Sequence, residues 1–398
     1  MAALRSGSGK RVSARSDRFA EALKLQNQGR LHRAAAAYWE LGRTSPGDPA
    51  IFNNLGNCLR ALGEFEKAIR CFDHALELEP GRATSRLNRS LALLSLNRYH
   101  EAWAGYEARL EVIDFRRELL EHPESKWQGE NLNDGEALYL FGNQGLGDEI
   151  QCFRFIKEVA ARVGNVILEL QRPLMSLAGQ LPEHVTVIER GDPVPAFHRW
   201  AEFFSLPGLL GTAIDSLPQP TRFSFEENGE VRHAIRNVSE GGELKVGLVW
   251  SGSPGNSLNG IRACGLGHLQ SLLRTEGCRF FSLQVGVPSN EIEQLGVGDR
   301  LTDLAPCLTD FAATATAIDE LDLVITTDTS VPHLAGSQGA ETWLLLHRPA
   351  DWRWGQQGER CAWYPSLRLF RQERMRDWGP LVEEVKSALQ QRVAGHQP

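Results

Sequence analysis

The sequence lacks the marks of several protein classes. No apolar run approaches the ~20 residues needed to cross a bilayer. Basic charge is not in excess: 43 Lys+Arg stand against 50 Asp+Glu, a formal net charge of -7. That balance argues against a nucleic-acid binder, which carries a basic patch. The seven cysteines form no CxxC pair and are odd in number, which suits a reducing cytosol and neither a disulfide framework nor a zinc site. The full GxGxxG dinucleotide pattern is missing, as is any clustered acid pattern for Mg²⁺. Residues 1–16 carry Arg5, Lys10, Arg11 and Arg15 and no acid. Without the apolar centre of a secretory signal they read as a disordered tail, with a transit peptide as the alternative. What remains is a chain of two or three domains, expected in the cytoplasm, with no membrane span and no nucleic-acid partner.

What is present begins with a repeat. A shift of 34 residues superimposes Ala34, Ala68 and Ala102, then Tyr38, Phe72 and Tyr106, then Leu31, Phe65 and Tyr99. Turn formers Gly29, Gly63 and Asn97 coincide, as do Pro46 and Pro80. This period, with small residues where two helices touch and a proline ending the unit, resembles the tetratricopeptide repeat. The spacing predicts stacked helix pairs over 17–120, presenting a concave face to a peptide or protein or serving as a packing platform. Tyr99, Trp103 and Tyr106 fall at helical spacing and read as core.

From residue 136 onward, apolar strand-like runs alternate with amphipathic helical runs, the pattern of a parallel sheet covered on both faces. Strands are expected at 137–141, 166–170, 185–189, 203–206, 246–250, 280–284, 323–326, 342–346 and 367–370. The Pro/Gly-rich stretch 216–243 reads as a connection between two small Rossmann-like domains, 130–215 and 244–395. The fold class is therefore α/β with an N-terminal all-α repeat. In doubly wound sheets ligands bind beyond the carboxyl ends of the strands, where this chain places its most unusual turns.

The first is Gly142–Asp148, with Gly145, Leu146 and Gly147 opening a helix. Glycine permits close approach of a substrate to the backbone. Asp148 suits a helix N-cap, the reading that spacing alone favours, or a general base aimed into the cleft. The second is Val249–Arg262, a polar loop ending in a cation: a flexible surface loop or a phosphate clamp with Arg262 as forked donor. The third is Thr327–His333. An apolar strand runs into Asp328, Thr329 and Ser330, then a helix with Val331 and His333 on its first turn. Backbone N–H groups and the positive end of a helix dipole suit a diphosphate there. Thr329 or Ser330 as plain caps and His333 as a core histidine are the bland alternatives. The fourth, Asp351–Trp354 with Trp363–Pro365 and Arg368–Gln372, could stack on a nucleobase or lock the last strand and helix in place.

Together Gly145-Leu-Gly147-Asp148, Val246–Trp250, Asp310–Ala315, Leu321–Ile325, Asp328-Thr329, His333–Gly336 and Asp351–Trp354 resemble bacterial tetratricopeptide proteins with a glycosyltransferase domain. The catalytic half is similar to glycosyltransferase family 9, the lipopolysaccharide heptosyltransferases. The plan also resembles the O-linked N-acetylglucosamine transferases, with their two-Rossmann GT-B fold. The resemblance covers about residues 15–395. It implies that the second Rossmann-like domain holds a nucleotide-sugar donor and that the first faces the acceptor. By it Asp148 matches the proposed base, with Gly145, Leu146 and Gly147 as the acceptor-side loop. Asp328, Thr329, Ser330, Val331 and His333 match the diphosphate turn, and Arg262 the phosphate-directed cation. One departure stands out. Related repeat proteins carry roughly N-P-x-H-x-N-D before that arginine, whereas residues 253–260 here read SPGNSLNG, without the histidine and the acid.

The expectation is a metal-independent glycosyltransferase with no cofactor, taking a nucleotide-sugar as substrate and docking a protein acceptor through its repeats. The alternatives are a protein-binding adaptor with a degenerate transferase fold, which the altered loop favours, and a nucleotide-sugar epimerase, which the repeats fit poorly.

Overall fold

In the computed structural model, residues 3–112, 117–179, 181–238, 241–256 and 258–396 are described. The chain divides into two compact units. One is Met1–Leu120 together with Gly211–Ile214 and Asp351–Gln356, and the other is the remainder.

The first unit is a stack of helix pairs: α1 (Ala3–Asn27) with α2 (Leu31–Thr44), α3 (Pro49–Ala61) with α4 (Phe65–Leu78), and α5 (Ala83–Ser95) with α6 (Tyr99–Tyr106). Of the stretch 1–16 expected as a disordered tail, residues 3–16 are part of α1, and residues 1 and 2 lie outside the described residues. The coinciding turn formers have one physical reason. Gly29, Gly63 and Asn97 all adopt positive φ, at 71°, 80° and 60°, which only glycine, and after it asparagine, tolerates well. Gly56 lets two helices of a pair touch, since a β-carbon there would lie 2.5 Å from the Phe72 ring. Tyr99, Trp103 and Tyr106 are buried as expected, and Trp352 packs edge-on against all three rings. Trp103 Nε1–H also donates to the Thr212 carbonyl at 2.8 Å. Asp351–Gln356 thus belongs with the repeats and not, as expected, with the last strand and helix.

The second unit holds two parallel sheets. The first, in order β3-β2-β1-β4, contains β1 (Leu138–Phe141), β2 (Val166–Leu170), β3 (Val185–Glu189) and β4 (Arg199–Glu202). The second runs β10-β9-β8-β5-β6-β7. Its strands are β5 (Leu244–Val249), β6 (Cys278–Ser282), β7 (Leu301–Asp303), β8 (Leu323–Thr327), β9 (Thr342–Leu346) and β10 (Leu367–Arg371). All pairings are parallel. β1, β2, β8 and β9 are buried along their whole length, which is why they read as continuous apolar runs. Two corrections apply. The fourth strand precedes the expected 203–206, where Phe203–Ser205 is instead a 3₁₀ turn, and β7 was not foreseen.

Counted from β5, the second sheet has the order 3-2-1-4-5-6, with its switch point between β5 and β8. The first sheet switches between β1 and β4. Helices α7 (Leu146–Cys152), α8 (Ile156–Arg162), α9 (Gly229–Arg236), α10 (Phe311–Glu320), α11 (Val331–Gln338) and α12 (Gly379–Ala394) cover the sheets. Within the 216–243 stretch, expected as a connection, lies the helix α9. Asn228 caps α9, accepting from the N–H groups of Glu230 and Val231, and Val231 and Ile235 are buried. Arg232 and Arg236 pair with Glu320 on α10 at 2.9 Å each.

Candidate functional site

The first three turns singled out from the sequence converge at the strand ends of the second unit. The loop after β5 is anchored by Gln284, whose Oε1 accepts from Trp250 N–H at 3.1 Å and from Ser251 N–H at 2.9 Å. Asn259 stands in the stretch that departs from the resembled pattern and closes the loop on itself. Its Oδ1 accepts from Gly252 N–H at 2.9 Å and its Nδ2 donates to Ser251 Oγ at 3.2 Å. A β-carbon on Gly252 would lie 3.7 Å from Thr329 Cγ2, so this loop adjoins the turn after β8. Ser257 lies outside the described residues.

Arg262 and Asp328 meet there. Arg262 Nε is 3.3 Å from Asp328 Oδ2, with Asp328 buried and Arg262 partly so. The contact is an ion pair without hydrogen-bond geometry between these two atoms; it sets beside the turn after β8 a guanidinium, the fork that binds phosphate in two parallel contacts. At the start of α11, Thr329 Oγ1 accepts from Val331 N–H at 3.3 Å, Pro332 brings no N–H, and Ser330 occupies the N-cap position without a side-chain bond. The capping role thus falls to Thr329. His333 is buried, its Nδ1 3.1 Å from the Tyr364 hydroxyl.

On the other side, Gly145 is the N-cap of α7. Asp148 is its third residue and accepts from Gly145 N–H through Oδ2 at 2.8 Å. The expected N-cap role of Asp148 is therefore corrected to back-bonding, which satisfies one orphan donor of the helix start. Helices α7 and α11 pack together. A β-carbon on Gly147 would meet His333 Cδ2 at 2.7 Å and Ser330 Cα at 3.1 Å, so Gly147 is the residue that lets the two helix starts touch. Asp148, Gly145, Leu146 and Gly147 therefore share one neighbourhood with Ser330 and His333, and Arg262, Asp328 and Thr329 adjoin it.

The sequence did not reveal the buried cluster beneath the first loop. Glu169 sits in the middle of β2, fully buried, and accepts from the Tyr139 hydroxyl at 2.8 Å. Arg190 donates to Glu149 Oε1 at 2.6 Å and to the Gly142 carbonyl at 2.7 Å. Gln171 Nε2 donates to Glu149 Oε1 at 2.8 Å and to the Gln144 carbonyl at 3.2 Å. Burial pushes the Glu149 carboxyl up from its usual value, against the pull of Arg190 and Gln171. The cluster fixes the Gly142–Gly145 loop. The acid following Asp148 was its one signal in the sequence. Trp354, Trp363 and Tyr364 are buried, which argues against base stacking for all three; the locking role fits Trp363 and Tyr364, while Trp354 belongs to the repeat unit. Arg154 is also buried, donates to the Pro218 and Trp363 carbonyls at 3.2 and 3.0 Å, and lies over the Trp363 and Tyr364 rings.

Among the described residues no group of three or more His, Cys, Asp or Glu is placed to hold a metal ion, and no helix is long and apolar enough to cross a membrane. In the repeat unit, α2, α3 and α4 form a groove of about 640 Å³. It is floored by Phe52 and Leu55, with Trp39 on one wall and Arg70 and His74 on the other. Trp39 is 60% exposed.

The tetratricopeptide repeat family model matches residues 49–82, the α3–α4 pair and the turn after it. Protein FlbA of Caulobacter vibrioides is 29% identical over 381 residues, which cover 87% of this chain and 62% of FlbA. The chain thus spans less than two thirds of that relative's length. Among solved structures, E. coli ADP-heptose lipopolysaccharide heptosyltransferase II is 14% identical, with a TM-score of 0.43, over 64% of this chain and 99% of that one. The Yersinia enterocolitica type III secretion translocator chaperone SycD is 20% identical, with a TM-score of 0.25, over 28% of this chain and 85% of that one. Neither structural likeness is close enough to bear on activity. The matched repeat, the helix pairs around it and the two parallel sheets give this chain N-terminal helical repeats of the tetratricopeptide kind followed by parallel-sheet α/β domains.

Proposed function

We propose that the chain is a glycosyltransferase that moves a sugar from a nucleotide-sugar to a hydroxyl on a protein docked by the repeats. One observation carries this reading: the loops after β5 and β8 meet at the switch point of a 3-2-1-4-5-6 sheet, with an ion-paired arginine and a helix start, while Gly147 brings Asp148's helix against that start. Switch points are where such sheets take nucleotides, and a helix start beside an arginine suits a diphosphate.

In the reaction, Asp148 accepts the proton of the acceptor hydroxyl as that oxygen attacks the anomeric carbon. The bond between the anomeric carbon and the diphosphate oxygen breaks, and the nucleoside diphosphate leaves with added negative charge. Arg262, the α11 dipole and His333 meet that charge. Fixed donors placed where charge develops are usually the largest catalytic term. Trp39 and the basic wall of the repeat groove are the suggested seat for the protein acceptor. The intended compartment is the cytoplasm, and no metal takes part.

The test is Asp148→Asn in a donor-turnover assay. Asparagine still accepts from Gly145 N–H, so the helix start survives while the base is lost, and turnover should fall by at least ~100-fold. Unchanged turnover removes Asp148 from the mechanism. The self-bonded Ser251–Asn259 loop favours a second reading, an adaptor that binds proteins and no nucleotide. Calorimetry with UDP, GDP, ADP and CDP separates the two, because an adaptor gives no heat with any of them.

A further inference from the structure

Helix α4 buries Phe65, Ala68, Ile69, Phe72 and Ala75. Beside that face runs a second row at i, i+3 and i+7, Lys67, Arg70 and His74, which lines the groove that α2, α3 and α4 form. Every member of it is basic, on a chain whose net charge is -7. Two have an acid nearby in sequence: Lys67 pairs with Glu64 at 2.8 Å and His74 with Glu77 at 3.1 Å. Arg70 is exposed and has no ion pair or hydrogen bond among the described residues.

The facing wall is different. Ala35 and Ala36 on α2 are small enough to leave the groove open, and Trp39, 60% exposed, stands at its rim. Glu40, the acid on that wall, is paired with Arg43 at 3.3 Å. Between the walls Phe52 and Leu55 make an apolar floor, with the His74 ring edge-on to Phe52 at 4.3 Å. The other side of α3 is engaged elsewhere, since Asn53 Oδ1 accepts from Ser85 Oγ and Asn88 Nδ2 of α5 at 3.1 and 3.2 Å. The groove thus belongs to α2 and α4, the second helices of two successive pairs, and not to the side that α3 shares with α5.

Three features select an occupant. An apolar floor beside an exposed indole takes large apolar side chains, and Trp and Arg are residues that often anchor interfaces. The walls are helices, whose backbone groups are bonded within each helix, so they offer no strand edge. An extended peptide laid there would bury N–H and C=O groups without partners, whereas a helix satisfies its own. The basic row on one wall, with its unpaired guanidinium, favours carboxylates along one edge of that helix.

We propose that this groove docks an amphipathic helix of a partner protein, its apolar face on Phe52, Leu55 and Trp39 and a row of Asp or Glu along the edge that meets Arg70. The inference deepens the docking half of the proposed function and rests on that half, not on the transfer chemistry.

The probes are three fluorescein-labelled peptides of ~18 residues, long enough to hold a helix. One has a leucine face at i, i+3, i+4 and i+7 with Glu along one edge, one has Lys in place of those Glu, and one is the acid-edged composition scrambled. In anisotropy titrations with the full chain, the acid-edged helix should bind at least ~10-fold tighter than the Lys-edged one. Arg70→Glu should abolish or reverse that preference. Trp39→Ala should weaken the acid-edged helix by at least ~10-fold. Both side chains are exposed, so both variants should melt with the unaltered protein. Equal affinity for the two edged helices, an unmoved preference in Arg70→Glu, binding untouched by Trp39→Ala, or no binding above the scrambled peptide overturns the proposal. So does a dimer in sedimentation that Trp39→Ala dissolves, because a second copy then covers the groove. Calorimetry with UDP, GDP and ADP on the same samples keeps the two readings apart. Helix binding by a chain that takes no diphosphate supports the docking and defeats the transferase. Diphosphate binding without helix binding defeats the docking and leaves the transferase standing.

Discussion

Gly147→Ala is the sharpest perturbation of the candidate site. The added carbon would sit 2.7 Å from His333 Cδ2 and 3.1 Å from Ser330 Cα. Contacts between carbons are comfortable at ~3.5–4.0 Å, so the first falls short by about 1 Å. Neither neighbour yields easily: Ser330 Cα is backbone, and the His333 ring is held by Tyr364. Forcing a methyl into packed space costs ~1–3 kcal/mol, and alanine's better helix propensity returns ~0.5–1 kcal/mol. The net loss is ~0.5–2 kcal/mol, which should lower Tm by ~2–6 °C. Gly145→Ala is the internal control. Its φ of -77° suits alanine, its β-carbon would meet one atom, Asp148 Oδ2 at 3.2 Å, and its cost should stay within ~0.5 kcal/mol. Thermal and urea unfolding of both variants read the difference. A Gly147→Ala/His333→Ala cycle should show positive coupling of at least ~0.5 kcal/mol. If Gly147→Ala melts with the unaltered protein, or both glycines respond alike, the argument that the two helix starts are in contact fails.

Further outcomes follow from the same geometry. Arg262→Ala leaves the buried Asp328 carboxylate without its guanidinium and should cost ~2–3 kcal/mol in urea unfolding. Asp328→Asn keeps the fold better and should weaken nucleoside diphosphate binding, as measured by calorimetry. Because burial raises Glu149, the folded chain binds a proton that the unfolded chain releases. Stability from this group is therefore highest below the ordinary carboxylate pKa and falls as pH rises through the window up to the raised value. The slope is at most ~1.36 kcal/mol per pH unit, and Glu149→Gln should remove that component in unfolding measured across pH. In the repeats, Gly56→Ala drives a methyl into Phe72 and should cost ~1–3 kcal/mol, much of it regained in Gly56→Ala/Phe72→Leu.

The features legible in the sequence are those where one residue type serves one backbone need. The 34-residue period was readable because Gly29, Gly63 and Asn97 mark positive φ at the same point of each unit. The long strands were readable because both faces are buried. β7 escaped because three residues of an edge strand, with Asp303 exposed, leave no pattern. β4 was misplaced because its buried Glu202 looks polar, although it caps the next turn by accepting from Phe204 N–H. In the candidate site the turns were visible as clusters of Gly, Asp, Ser and Thr, but their partners were not. Gln284, Arg190 and Tyr364 come from distant strands and loops, and only tertiary packing brings them in.

The seat that Tyr99, Trp103 and Tyr106 make for Trp352 bears on how such a chain can diverge. A fragment ending near residue 120 would lack the indole that completes this aromatic cluster and the Thr212 carbonyl that takes the Trp103 N–H. The repeats are therefore not a cassette to be cut out and grafted whole. A recombined gene that swaps them must carry along two short stretches encoded some 90 and 230 residues downstream, or inherit an exposed apolar scar.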